Sequence, residues 1–322
     1  MLDTSDAKPF ATINRAYNAT FKPGRMTVGI VAPIEAHGSN PVPTMDRHIE
    51  RAQLADTLGF AAVWLRDVPF NVPSFGDAGQ IYDPFVYLGA LSMATHNIAL
   101  GVASVVLPLR HPAHVAKAAA SVDVMSGGRL LLGVASGDRP EEYPAMGMTF
   151  PDRGARFRDS VAYMRSLVDP YPGIENSHGT LSGGLDMLPK PTGPRLPLLI
   201  TGGSQQDPAW VARNGDGWMT YPRDAQSQGR VVADYRSRIA KHGGPDKPVM
   251  QSLYVDVLED ADAAPRPIHL GFQSGTTFLR DYLREIQTLG INHVALNLRF
   301  NSADIETTLN RLANDLLPDF AE

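Results

Sequence analysis

Short apolar runs alternate with helix-period segments along most of this 322-residue chain. The first run is Val28 to Ala32. The segment after it, Thr44 to Leu58, places Ile49, Ala52, Ala55 and Leu58 on one helical face before Gly59 stops the pattern. A second run, Ala61 to Leu65, precedes a helical stretch from Pro84 to Ala94. The third, Ile98 to Leu107, leads through a Pro-Leu-Arg-His-Pro turn into a segment with Val115, Ala119, Val122 and Met125 on one face. Gly127 and Gly128 then suit a left-handed C-terminal cap. The fourth run, Leu130 to Ala135, is followed by a helix from Asp152 to Val168 that turns Phe157, Val161, Met164 and Val168 inward.

Residues 170–196 break the rhythm: Gly and Pro abound, and a long loop or small hairpin over the fold is expected. The alternation resumes with Pro197 to Ile200, a short helix from Pro208 to Arg213, Gly217 to Thr220, and a helix from Asp224 to Lys241. Val249 to Leu258 comes next, then a helix marked by Phe278, Leu279, Tyr282, Leu283, Ile286 and Leu289, then His293 to Leu298 and a last helix from Ala303 to Leu316. Apolar runs joined by amphipathic helices describe a parallel sheet buried on both faces. Eight strands and eight helices in alternation predict a single (β/α)8 TIM barrel over residues 26–322, with loop insertions at the C-terminal face of the strands. A doubly wound sheet would leave two strands to explain away. Residues 1–25 form an N-terminal arm with no sustained period. It reads either as a poorly ordered tail or, through Phe10, Ile13, Tyr17 and Phe21, as a segment that packs on the barrel or a partner subunit.

Composition narrows the function. Apolar residues make up 43% of the chain, enough for a sizeable core, and 29 basic against 34 acidic residues leave a net charge of −5 without a basic stripe. Nucleic acid is therefore not an expected partner. The chain has no cysteine, which excludes disulfides, thiolate metal sites and a cysteine nucleophile. No apolar run approaches membrane-span length and residues 1–25 lack a signal-peptide pattern, so no membrane association and a cytoplasmic location are expected.

The stretch LPLRHPAHVAKAAASVDVMSGGRLLLGVASG, Leu107 to Gly137, resembles the third strand, third helix and fourth strand of the luciferase-like flavin-dependent monooxygenases. The residue types and spacings of LPLRHP, the Ser-Gly-Gly-Arg turn and LGVxxG are all present, and weaker matches run from Met26 to the C-terminus. Barrel active sites lie at the C-terminal ends of strands, so the candidate residues are those just past each apolar run. By the same rule His293, at the start of its strand, is structural.

Gly202, Gly203, Ser204 and Gln205 follow strand five and precede a helix with Asp207 at its cap and Pro208 at its first position. Such a turn exposes backbone N–H groups and the positive end of the helix dipole to a phosphate. Arg153, Arg156 and Arg158 crowd the start of another helix, where cations oppose the dipole and something anionic should compensate. For Arg153 and Arg158, pairing with Asp138, Glu141, Glu142, Asp152 or Asp159 is expected. The resemblance implies that Arg156 and Ser204 contact a flavin phosphate. It also implies a non-proline cis peptide at Ala103-Ser104 beneath the flavin ring, and cofactor contacts at Ser136 and Gly137.

After strand two the luciferases carry a Glu-His-His pattern whose histidine acts in the chemistry. This chain has Asp67-Val68-Pro69 there, so that role does not transfer, and Asp67 is the nearest ionisable substitute for a catalytic group. Otherwise it orders the loop or pairs with Arg66. Gln80, Asp83, Asp138, Arg139 and Tyr143, on the loops 72–84 and 136–147, are pocket candidates or loop-internal hydrogen-bonding groups. His111 and His114 stand three apart at a helix start, but no third ligand has matching spacing, and no metal is expected.

The resemblance implies an oxidoreductase, a monooxygenase that takes reduced FMN from a separate flavin reductase as a diffusible cosubstrate. Oxygen activated at flavin C4a would oxidise a small organic substrate, and the enzyme would be a homodimer. Two alternatives remain: an F420-dependent hydride-transfer oxidoreductase on the same fold, whose cofactor has a long anionic tail, and a non-catalytic flavin-binding protein. A metal-dependent barrel hydrolase would need a His-x-His at the end of strand one, and Pro33 to His37 lack it.

Overall fold

A computed structural model describes residues 8–38, 40–76 and 78–320. Residues 1–7 of the arm, Ser39, Asp77 and residues 321–322 lie outside the described residues. The chain opens with a short helix α1 (Arg15–Thr20) and then β1 (Thr27–Val31), α2 (His48–Leu58), β2 (Ala62–Leu65), α3 (Pro84–Ala94), β3 (Ala99–Val106), α4 (Pro112–Met125) and β4 (Leu130–Ala135). A four-residue helix α5 (Glu142–Ala145) and α6 (Arg153–Ser166) precede a hairpin, β5 (Gly173–Asn176) and β6 (Gly179–Ser182). There follow β7 (Leu198–Thr201), α7 (Pro208–Asn214), β8 (Gly217–Thr220), α8 (Ala225–His242), β9 (Val249–Val257), a second hairpin β10 (Arg266–Ile268) and β11 (Gly271–Ser274), α9 (Thr276–Thr288), β12 (His293–Asn297) and α10 (Ile305–Asp315).

Eight strands run parallel in the order β1-β2-β3-β4-β7-β8-β9-β12, and β12 returns to β1. Pairing of β8 with β9 closes the ring. The (β/α)8 barrel predicted from the alternation is therefore the fold. Two elements differ from the pattern. The first helix begins at His48 rather than near Thr44, because Met45 and Arg47 take left-handed backbone and the buried Glu35 carboxylate accepts from the N–H groups of Thr44 and Met45, holding them in a turn. The hairpin β10–β11 is not among the expected elements; its strands are mostly half-buried, and the alternation Ile268, Leu270, Phe272 that marks it spans only five residues across the turn.

Period-two alternation sorts the strand residues into two cores. Val28, Ile30, Leu65, Leu100, Leu132, Ile200, Leu253 and Leu296 pack outward against the helices. Val31, Ala62, Trp64, Ala99, Leu131, Leu199, Met219, Met250 and Ala295 fill the lumen, together with Ile13, Ala16, Tyr17 and Phe21 of the arm. Trp64 fits in the lumen because β3 carries glycine beside it: a Cβ on Gly101 would lie 2.3 Å from the indole, and one on Gly29 of β1 would lie 2.7 Å from His293 Nε2.

The arm plugs the N-terminal end of the barrel. Asn14 caps α1 and donates to Asp123 and to the Leu130 carbonyl, and the Tyr17 hydroxyl donates to the Asp216 carbonyl at 2.7 Å. Above the plug, Trp64 Nε1 donates to His293 Nε2 at 2.8 Å, while Thr27 Oγ1 lies 2.7 Å from Nδ1 and donates to the Thr20 carbonyl. With both neighbours' protons committed, the ring is neutral with its hydrogen on Nδ1. Burial pushes the His293 pKa down to about 3. Elsewhere, the arginine of the Ser-Gly-Gly-Arg turn, Arg129, is buried and donates to the carbonyls of Ser92, Thr95, Ile98 and Ser126, tying the C-terminal end of α3 to the turn after α4.

Candidate active site at the barrel mouth

The C-terminal end of the strands carries two unlike arcs. From β3 through β4 to β7 the residues at the rim are small: Ala103 and Ser104, Ala135 to Gly137, Thr201 to Gly203. The peptide between Ala103 and Ser104 is cis, and the β3–β4 register shifts between Val102 and Val105 at the same place. Ser104 Oγ hydrogen-bonds Thr201 Oγ1, and both hydroxyls face the Met219 sulfur. Ser136 is buried, its carbonyl taken by the Tyr143 hydroxyl. Gly137 has left-handed backbone, and a Cβ there would meet Val106 at 2.7 Å.

Outside this small-residue arc sits a cationic cluster. Ser204 and Gln205 both adopt left-handed backbone, and Ser204 Oγ donates to the Thr201 carbonyl. Gln206 ties this loop to α6: its amide donates to the Gly154 carbonyl at 2.7 Å and to the Ser204 carbonyl, while its oxygen accepts twice from Arg158. Arg153 lies over the Phe150 ring at 3.7 Å with its Nε buried and unbonded. Arg156 makes a long 3.4 Å contact to the Pro108 carbonyl. No carboxylate pairs with Arg153, Arg156 or Arg158 among the described residues, which corrects the expected pairing of Arg153 and Arg158: one stacks on an aromatic ring and the other binds an amide. Three arginines without an anion, of which Gln206 engages only Arg158, with an orphaned buried N–H and a helix N-terminus make a donor set suited to a phosphate. Gln206 was missed in the sequence; its position directly after the glycine turn was the available signal.

Asp67 stands just beyond β2, but its carboxylate is occupied. Oδ1 accepts from Arg110 Nη2 at 2.7 Å, Oδ2 accepts from Arg110 Nε and from the Val106 N–H, and the side chain is 1% exposed. The partner is Arg110 and not Arg66. Burial opposes the Arg110 charge, but its bonds to Asp67 and Asp83 outweigh that and hold the guanidinium ionised. Three of the five pocket candidates serve the loops: Gln80 bonds the backbone of Arg66 and Tyr82, Asp83 caps α3, and Tyr143 holds Ser136. Arg139 lies over the Phe75 ring at 4.3 Å, and Asp138 is exposed. Nearby, and not singled out in the sequence, the buried Glu142 carboxyl is pushed above its ordinary range by desolvation, against the pull of Arg139.

The opposite arc, from β8 through β9 and β12 to β2, presents large side chains. Tyr221 follows Met219 by two residues, Tyr254 continues the inward series Met250 and Ser252, and Asn297 continues that of Ala295, so all three take the lumen side of the rim. His111 caps α4 through Nδ1 and meets the His178 carbonyl through Nε2, and no group of three or more metal-ligating side chains occurs among the described residues. No helix among the described residues is long and apolar enough to cross a membrane.

The luciferase-like monooxygenase family model matches residues 26–321. Among curated proteins, an F420-dependent hydroxymycolic acid dehydrogenase of Mycobacterium tuberculosis is 28% identical, covering 78% of this chain and 68% of its own. The oxygenase component of a flavin-dependent trigonelline monooxygenase from Acinetobacter baylyi is 32% identical, covering 52% of this chain and 42% of its own. Among solved structures, a monooxygenase from Streptomyces bottropensis superposes with a TM-score of 0.76 at 20% identity, covering 92% of this chain and 100% of that one.

Proposed function

The chain belongs to the luciferase-like monooxygenase family, and on that premise we propose that it is the oxygenase half of a two-component system, an FMN-dependent monooxygenase acting on a small organic substrate. The observation that carries the cofactor part is the phosphate-ready cluster of Arg153, Arg156 and the Gly202–Gln205 turn beside a rim of small residues. Arg156 and the N–H groups around Ser204 would hold the phosphate. Ala103, Ser104, Ser136, Gly137 and Thr201 would form the shelf for a flat ring system. Reduced FMN, when bound, supplies the electrons that activate O2 for insertion into the substrate. The protein's share is to orient substrate and exclude water, which the loops 72–84 and 136–147 are placed to do. Asp67 serves as a positioning residue: it holds Arg110 and the Val106 N–H just above the Ala103–Ser104 peptide.

A second reading, hydride transfer with F420, is favoured by the F420-dependent relative. FMN is preferred because, among the described residues, the cation cluster at the start of α6 stops at Arg158, which Gln206 already engages, and nothing there extends it for a long anionic tail. A homodimer is part of the proposal. On α3, Val86 and Met93 are each 73% exposed and Gly89 and Ala90 lie between them, an uncharged face fit to meet its own copy.

Anaerobic titration with reduced FMN and reduced F420, followed by oxygen-electrode measurement on mixing with O2, tests the reading. FMN binding with oxygen consumption supports it. F420 binding without oxygen consumption moves the answer to hydride transfer, and failure to bind either cofactor defeats both.

A further inference from the structure

Resting on that cofactor placement, we propose that the β8–β9–β12 arc of the mouth is the substrate wall, and that it takes a small aromatic ring bearing a carboxylate. Three rings from three separate segments meet there. Tyr254 of β9 lies 5.3 Å from Phe300, just past β12, and 5.6 Å from His269, in the turn of the β10–β11 hairpin; His269 and Phe300 are 6.4 Å apart and nearly perpendicular. The hairpin is pressed onto β9 to bring this about: Tyr254 N–H donates to the Leu270 carbonyl, and a Cβ on Gly271 would fall 1.8 Å from the Tyr254 carbonyl oxygen. Tyr221 stands just past the neighbouring strand β8, 50% exposed, and Tyr254 and Phe300 are half-buried, so the cluster is a rim open to the mouth and not a closed core.

Across the mouth the strands β3, β4 and β7 end on Ala103, Ser104, Val106, Ala135 and Thr201, none larger than valine. A flat cofactor held on that shelf would face the aromatic wall, and a substrate would then fit between two ring systems. A saturated substrate gains only buried area there, whereas an aromatic one adds ring–ring interactions on both faces. The charge preference comes from Arg299. Its guanidinium carbon is 5.3 Å from the Phe300 centroid and its Nη2 donates to the Gly76 carbonyl, which pins a cation to the edge of the wall. Burial keeps the Tyr221 phenol protonated, with Asp138 acting in the same direction against Arg66, so it meets a bound ligand as a hydrogen-bond donor.

The test is calorimetric titration of the full chain with benzoate, cyclohexanecarboxylate and benzyl alcohol, in the cofactor-free form and loaded with whichever of FMN or F420 it retains. Benzoate is expected to bind about five- to tenfold more tightly than cyclohexanecarboxylate, and more tightly than benzyl alcohol. Tyr254→Leu or Phe300→Leu should bring the benzoate to cyclohexanecarboxylate ratio towards one at unchanged cofactor affinity, with Tyr254→Phe retaining it. Arg299→Gln should erase the advantage over benzyl alcohol. Equal binding of the two acids, no binding of benzoate in either form, or a ratio that survives both leucine variants overturns the proposal. Parallel cofactor titration separates that outcome from failure of the functional reading, because a protein that binds FMN or F420 yet ignores the ring leaves the cofactor site standing.

Discussion

At the N-terminal end of the barrel a chain of neutral polar groups is closed over by protein: Tyr17 by the Asp216 carbonyl, Trp64 by His293, His293 by Thr27, and Thr27 by the Thr20 carbonyl, with the uncharged Thr20 hydroxyl left over. At the other end, Arg153 Nε is buried without a partner, Arg156 meets no carboxylate among the described residues, and Tyr221 is 50% exposed. The same eight strands build both ends. Neutral groups bonded to one another at one end supply rigidity and ask for no ligand; arginines without an anion at the other mark where a ligand is meant to finish the work.

The largest effect that would break this contrast comes from the plug. Tyr17→Ala removes a ring that is 1% exposed, its edge contact with Phe21 and its hydroxyl bond, and should cost about 3–5 kcal/mol in urea unfolding. Cofactor affinity of the folded remainder should stay within about twofold. An equal loss of affinity would mean that the two ends are not independent. Next comes Arg156→Ala, which should weaken FMN about 10- to 100-fold, the equivalent of roughly 1.5–3 kcal/mol for a charge-assisted contact, and leave the unfolding midpoint almost unmoved. Unchanged affinity by fluorescence titration would remove Arg156 from the phosphate site.

Acid sharpens the comparison further. His293 binds a proton at about pH 3 when folded but near pH 6.5 when unfolded. Above about pH 6.5 both states carry the neutral ring and the group makes no difference. As pH falls from there towards 3, the unfolded state takes up the proton first, so stability drops by about 1.4 kcal/mol per pH unit. Protonation of Nε2 would also set two donors face to face with Trp64. Thermal melts of wild type and His293→Gln across this range should converge as pH falls; parallel curves would show that the histidine is not the acid-sensitive group.

How much of this was legible beforehand follows the same division. The barrel could be read because the β-branched runs and the helical faces repeat eight times, and each repeat confirms the others. The phosphate cluster was half legible: Arg156 and Ser204 were named, but the state of Arg153 and Arg158 depends on Phe150 and Gln206, whose nearness is tertiary. Asp67 looked available because its partner, Arg110, lies forty-three residues away across the β2–β3 pair. The aromatic wall was not seen at all, since Tyr254, His269 and Phe300 become neighbours only once a short hairpin, whose Ile268, Leu270, Phe272 alternation is too brief to stand out, folds back on β9.

The smallest expected effect is the most discriminating. Gln206 touches no anion in the proposed arrangement, yet it fixes the spacing between the Ser204 loop and α6 through Gly154 and Arg158. Gln206→Ala frees the Arg158 guanidinium and unties the loop, and should lower FMN affinity only about three- to fivefold, near 1 kcal/mol for lost neutral and charge-assisted bonds offset by solvent. Riboflavin, which lacks the phosphate, should bind the variant and the wild type alike. If riboflavin weakens as much as FMN, Gln206 shapes the ring shelf and not the phosphate site. If FMN binds more tightly, the released Arg158 has joined the cluster, and the wild-type protein holds one cation in reserve through an amide.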